Sequence, residues 1–200
     1  MIAFKGFTSD LMSRLGNGDK EKCTFEPGIT MTEESSKTGR GGYHCCENPF
    51  DCLTYYSLDG KNRFFKVEAA GSIDEDDQGR IACTKITLLE ELNPLGLALE
   101  GMIYMIEHPG REKWKQNHLN VTVAADVAEA KETGQIAIAR GKDPQAKGPV
   151  GSILGILKEE AGVGIVESKL FIVQPGQADR WLTIGAGRKL EEVPHEETID

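Results

Sequence analysis

Tyr43-His44-Cys45-Cys46-Glu47-Asn48-Pro49-Phe50-Asp51-Cys52-Leu53-Thr54-Tyr55-Tyr56 reads as a short strand tipped straight into a helix. Pro49 suits the first helical position, where its missing N–H costs nothing, and Asn48 suits the cap. Phe50, Leu53 and Tyr56 are spaced to face a core, so the spacing predicts a helix over residues 49–56. Around it, Ala3-Phe4-Lys5-Gly6-Phe7 reads as an opening strand. Residues 63–69 and 81–89 read as strands that pair as a hairpin, with the acidic stretch 74–79 between them. Residues 16–22 form a connector, residues 35–42 a second one that is polar, Gly-rich, exposed and mobile, and residues 95–107 a helix. Together these elements predict an α+β domain over residues 1–116.

Beyond residue 117 a different pattern takes over. Val121, Ile136 and Gly151 lie fifteen residues apart, as do Val123, Ile138 and Ile153, with small residues such as Gly134 and Gly148 between them. This recurrence predicts coils of a small β-solenoid-like domain, a short parallel β-helix, over residues 117–193. An antiparallel β-meander would give a similar spacing, and the coil reading is preferred. Open solenoid ends must be capped or paired, which leaves room for a homodimer. Residues 194–200 form an acidic tail.

The net charge of −9 argues against a nucleic-acid partner, whose phosphates demand clustered Lys and Arg. No apolar run approaches the roughly 20 residues that cross a bilayer, and the first residues carry no secretion signal. Five cysteines, an odd number with three of them at 45, 46 and 52, suit a reducing compartment rather than a disulfide framework. The expected location is the cytoplasm.

The chain resembles an uncharacterised family of phage and prophage proteins, known as a domain of unknown function with a C-terminal Gly/Ala-rich repeat region. The likeness runs through residues 3–7, 25–28, 63–71 and 79–92, and is most specific at Gly42-Tyr43-His44-Cys45-Cys46-Glu47-Asn48-Pro49-Phe50-Asp51 with Tyr55-Tyr56. It resumes at 134–141 and 146–151. A cysteine usual in the family shortly before the Tyr43 position is replaced within Thr38-Gly39-Arg40-Gly41. The resemblance implies a phage-related origin, with the host-cell cytoplasm as the location, and a two-part architecture. It implies no reaction.

Candidate chemistry centres on the same motif. Cys23, His44, Cys45, Cys46 and Cys52 are soft ligands, but none stands in chelating C-x2-C or H-x3-H spacing, so no metal is expected. Cys46 beside a helix start, with His44 two residues back, has the makings of a nucleophile and base, although a hydrogen-bonded structural histidine is the plainer account. His108, His118 and His195 read as solvated. The order of Lys5, Tyr43-His44, Tyr55 and Glu68 is loosely similar to the NAD-binding core of ADP-ribosyltransferases. The chain departs from those enzymes in having Lys5 where an Arg or His is expected, no Ser-Thr-Ser after Tyr43, and a single Glu68 in place of a Glu-x-Glu pair. The leading expectation is therefore a non-enzymatic accessory protein, without cofactor, that binds a host or viral protein through Lys5, Tyr43, His44 and Glu47. The alternative is an NAD-using ADP-ribosyltransferase with His44, Tyr55 and Glu68 as its catalytic residues.

Overall fold

A computed structural model describes residues 1–13, 23–76 and 79–194. The connector expected at 16–22, residues 77–78 of the acidic stretch, and nearly all of the acidic tail with His195 lie outside the described residues. The chain divides into two compact units, Met1–Leu97 and Ala98–Asp200.

Neither expected fold class survives: the protein is mostly β, built on one antiparallel and one mixed sheet. In the first unit the segment predicted as a helix is a six-residue 3-10 turn, Pro49–Thr54, too short to form a layer against a sheet. Its start was legible: Asn48 accepts a hydrogen bond from the Phe50 N–H at 3.1 Å, with Pro49 next to the cap. The unit is instead covered by its own sheet. Strands β1 (Ile2–Thr8), β2 (Thr30–Thr32), β3 (Tyr43–Cys46), β4 (Asn62–Glu75) and β5 (Arg80–Leu92) run antiparallel in the order β2-β5-β3-β1-β4. Because β4 also pairs with β5, as the hairpin reading expected, the sheet closes on itself. Register shifts between Lys66 and Val67 and between Ala70 and Ile73 bend these long strands enough for closure. Phe7, Phe25, Phe65 and Tyr43 meet edge to face inside it, with ring centroids 4.9–5.7 Å apart.

Helix α1 (Pro94–Glu107) spans the division between the units, much as residues 95–107 suggested. The second unit is a single mixed sheet rather than a solenoid or an antiparallel meander. β7 (Val121–Glu129), β8 (Ile136–Lys147) and β9 (Ile153–Glu160) pair in parallel. β6 (Gln116–His118), β10 (Gly164–Ile172), β11 (Leu182–Ile184) and β12 (Leu190–Glu192) all join antiparallel. Val121 sits beside Ile136, fifteen residues on, but Ile136 sits beside Ile153 and not Gly151. Gly151 has φ +84° and closes the turn before β9, so the third segment starts two residues later than a regular coil requires. At Gly155 a Cβ would lie 2.7 Å from the Met102 sulfur, so the missing side chain is what lets α1 settle on the sheet. Among the described residues no helix is long and apolar enough to cross a membrane.

Candidate functional site

β1 pairs with β4 over seven residues, from Ile2–Glu68 to Thr8–Asn62, but with β3 only at Phe4–Cys46. β3 is short for local reasons. Asn48-Pro49 ends it, and Gly42 precedes it at φ +79°, where a Cβ would lie 2.8 Å from the Cys83 carbonyl oxygen. Past the single Phe4–Cys46 pair the two strands part, and the opening is a cavity of about 420 Å³ lined from both faces of the sheet.

Strand alternation puts Lys5 on the same face as Ala3 and Phe7, which belong to the core. Its side chain is only 6% exposed, and its Nζ donates to the His44 carbonyl oxygen at 2.6 Å. Among the described residues this is the ammonium's one hydrogen bond, supplemented by the faces of Phe7 at 5.3 Å and Phe25 at 5.6 Å. No carboxylate pairs with it among the described residues.

His44 lines the cavity but is occupied elsewhere. Its Nε2 accepts from the Gly39 N–H at 2.9 Å, which assigns the ring proton to Nδ1. Burial first, then the positive charges of Lys5 and Arg80, hold its pKa below the usual histidine value. It is a clasp for the loop before β3. That loop, expected to be mobile, is pinned on its other side by Asp74, which accepts from Lys37 Nζ at 2.8 Å, from the Thr38 N–H at 2.8 Å and from Thr38 Oγ1 at 2.7 Å. The Lys37 and Thr38 hydrogen bonds push the Asp74 carboxyl well below the usual carboxylate range.

The structure gathers four of the expected site residues on the cavity wall: Lys5, Tyr43, His44 and Tyr55. Burial, with Cys23 and Glu33 nearby, pushes the Tyr43 phenol up to about 12. Tyr55 is half-buried, its side chain hydrogen-bonded with Arg80, which also binds Asp76 at 2.6 Å. Glu47 and Glu68 are not on the wall; Glu68 is exposed on β4, between Ile2 and Thr87. The wall adds residues not expected as site residues: Phe25, Glu33, Arg40, Tyr56 and Arg80. Arg80 reaches it because it stands opposite Cys46 in the β3–β5 register, a pairing across 34 positions that no local pattern announces.

All five cysteines are free thiols. The neighbouring Cys83 and Cys46 thiols, together with burial, push the Cys45 and Cys52 thiols, respectively, well up. Among the described residues no three His, Cys, Asp or Glu side chains gather as a metal-binding group.

Residues 1–100 match the model of a family described as a domain of unknown function (DUF7666). No curated protein and no solved structure matches the chain.

Proposed function

We propose, for a chain that belongs to the DUF7666 family and takes no activity from that membership, that the opening between β1 and β3 binds a small organic anion. The observation that carries this reading is the buried Lys5 ammonium, with a backbone carbonyl and two aromatic rings around it and no carboxylate in ion-pair contact among the described residues, Glu33 standing elsewhere on the wall. Burying an unpaired charge costs several kcal/mol, and an anionic group entering the cavity offsets that cost. Arg40 and Arg80 also stand on the wall, Arg80 paired with Asp76, against the carboxylate of Glu33, so the lining carries more basic than acidic side chains in a chain whose net charge is −9. A volume of about 420 Å³ is that of a small-molecule pocket, and Phe25, Tyr43, Tyr55 and Tyr56 offer faces for a planar body.

The protein is then a binding protein without chemistry of its own, as the leading sequence reading had it, but with a small molecule in place of a host or viral protein. The phage or prophage setting implied by the resemblance enters this proposal as context, with the ligand drawn from the host's metabolites. NAD has both an anionic pyrophosphate and planar rings, and so belongs among the probes. The transfer reaction gains no support from Glu68, which is off the cavity wall.

Calorimetric titration of the full chain at low salt with inorganic phosphate, benzoate and NAD tests the proposal. Saturable binding of at least one probe is expected, and Lys5→Met abolishes it. Binding that survives Lys5→Met, or no binding of any probe, would sink the reading. Release of nicotinamide from NAD, lost in Glu68→Ala, would establish the transferase in its place.

A further inference from the structure

The Lys5 ammonium carries three N–H groups, and the fold answers one of them. Nζ donates to the His44 carbonyl oxygen at 2.6 Å, and no other acceptor meets it among the described residues. The rings of Phe7 and Phe25, 5.3 and 5.6 Å away, favour a positive charge without taking an N–H in a conventional hydrogen bond. Lys5 is buried and lines the cavity, so its remaining N–H groups meet whatever the cavity holds. An anion can accept from them, yet a second chemistry fits the same count more closely.

A protonated imine is a cation with a single N–H. In place of the ammonium it would keep the His44 carbonyl as its one acceptor and the two rings beside it, and it would leave no N–H without a partner. Lysine amines held in apolar pockets form such bonds with carbonyl compounds. We propose that Lys5 captures an aldehyde carried on a planar, anionic body as a reversible imine. The inference rests on the anion-binding reading for the charge of that body, and on Lys5 alone for the bond. Phe25, Tyr43, Tyr55 and Tyr56 line the same cavity and offer faces for the planar part.

The atoms balance. The ammonium releases a proton, the nitrogen lone pair attacks the carbonyl carbon to form the C–N bond, and the C=O pair moves onto oxygen. That oxygen takes up two protons and leaves as water, while the nitrogen keeps one. In sum, ammonium and aldehyde give a protonated imine and water, with no electron transferred and the positive charge kept on nitrogen. The charge therefore still faces the ligand's anionic group after the bond has formed. Hydrolysis runs the same steps backwards and returns the aldehyde unchanged, so this is capture without turnover.

The test is incubation of the full chain with equimolar 4-formylbenzoate and cyanoborohydride, followed by tryptic mass mapping. Cyanoborohydride delivers hydride to the imine carbon and fixes the adduct as a secondary amine. Label is expected at Lys5, on an uncut peptide of residues 1–14, because a modified lysine resists trypsin. Lys5→Arg, which keeps the charge but forms no imine, is expected to lose it. Label on exposed lysines such as Lys37, or on the Met1 amino group, with none at Lys5 overturns the proposal. The two readings fail separately. Saturable binding of benzoate with Lys5 left unlabelled by 4-formylbenzoate sinks the imine alone, whereas labelling of Lys5 by neutral benzaldehyde with no binding of benzoate sinks the anion reading and keeps the imine. Should Lys5→Arg misfold, the wild-type map still decides.

Discussion

Among the described residues each unit buries one basic side chain, and the two are treated differently. Arg140 on β8 is 2% exposed; its Nε and Nη2 hold both oxygens of Glu159 at 3.1 and 2.7 Å, Nη2 also donates to the Pro109 carbonyl at 2.6 Å, and its guanidinium lies 4.8 Å from the Trp114 ring. Only Nη1 lacks a partner among the described residues. Lys5 is 6% exposed and has one carbonyl and two rings. A forked, carboxylate-matched guanidinium is a structural element, because its charge is already answered within the fold. A point charge left unanswered at the wall of a cavity is a vacancy for an anion, and that contrast is the strongest reason to look for function in the first unit.

The largest effect that could break the contrast is expected at Arg140. Glu159→Gln leaves the guanidinium buried with no counter-charge, and removing one partner of a buried pair costs about 3–5 kcal/mol. Glu159 is 33% exposed, so the low end of that range is expected, read as a shift in urea midpoint. A loss below about 1 kcal/mol would place Arg140 in the same class as Lys5 and remove the contrast. Lys5→Met should behave oppositely. It deletes an uncompensated charge in favour of an apolar side chain of similar length, which offsets the roughly 1–3 kcal/mol of leaving the His44 carbonyl without its donor. Stability is expected to change by no more than about 1 kcal/mol in either direction, measured in the same denaturation series. A loss as large as that of Glu159→Gln would show Lys5 to be structural.

How much of this could be read in advance depends on the range over which each feature is set. The Asn48-Pro49 start and the β4–β5 hairpin were legible because capping and strand alternation act within a few residues. That the sheet closes on itself depends on β4 pairing with both β1 and β5, which a local pattern does not contain. The fifteen-residue recurrence was real between Val121 and Ile136, yet the turn at Gly151 adds two residues before β9. An even slip keeps every side chain on its face, so the pattern looked regular at the wrong offset. At the cavity, the Tyr43–Tyr56 motif and Lys5 were both named from the sequence, Lys5 as part of the opening strand. Arg80 and Glu33 were not, since only sheet register brings them there.

The smallest effect is expected from His44, and its sign follows from the clasp. The unfolded chain protonates this ring near its ordinary value of 6.5, whereas the folded protein resists, because burial disfavours the charged ring and because Lys5 and Arg80 repel a further positive charge. Above the unfolded value the ring is neutral in both states and contributes no pH dependence. As the pH falls through that value toward the lower folded one, the unfolded state gains the proton first, and stability declines. Below the folded value both states are protonated and the decline stops. Asp74 on the other side of the loop acts in a separate window, because its folded value is depressed and its contribution is lost only as the pH falls below the ordinary carboxyl value of 3.8. Thermal melts from about pH 7.5 to about pH 5 should therefore fall in the wild-type protein and flatten in His44→Gln, whose amide oxygen can take the Gly39 N–H without titrating. An equal slope in both proteins would mean that His44 does not clasp the loop. The wall of the cavity beside Lys5 would then be free to move, and the contrast with the carboxylate-braced Arg140 would extend from charge to rigidity.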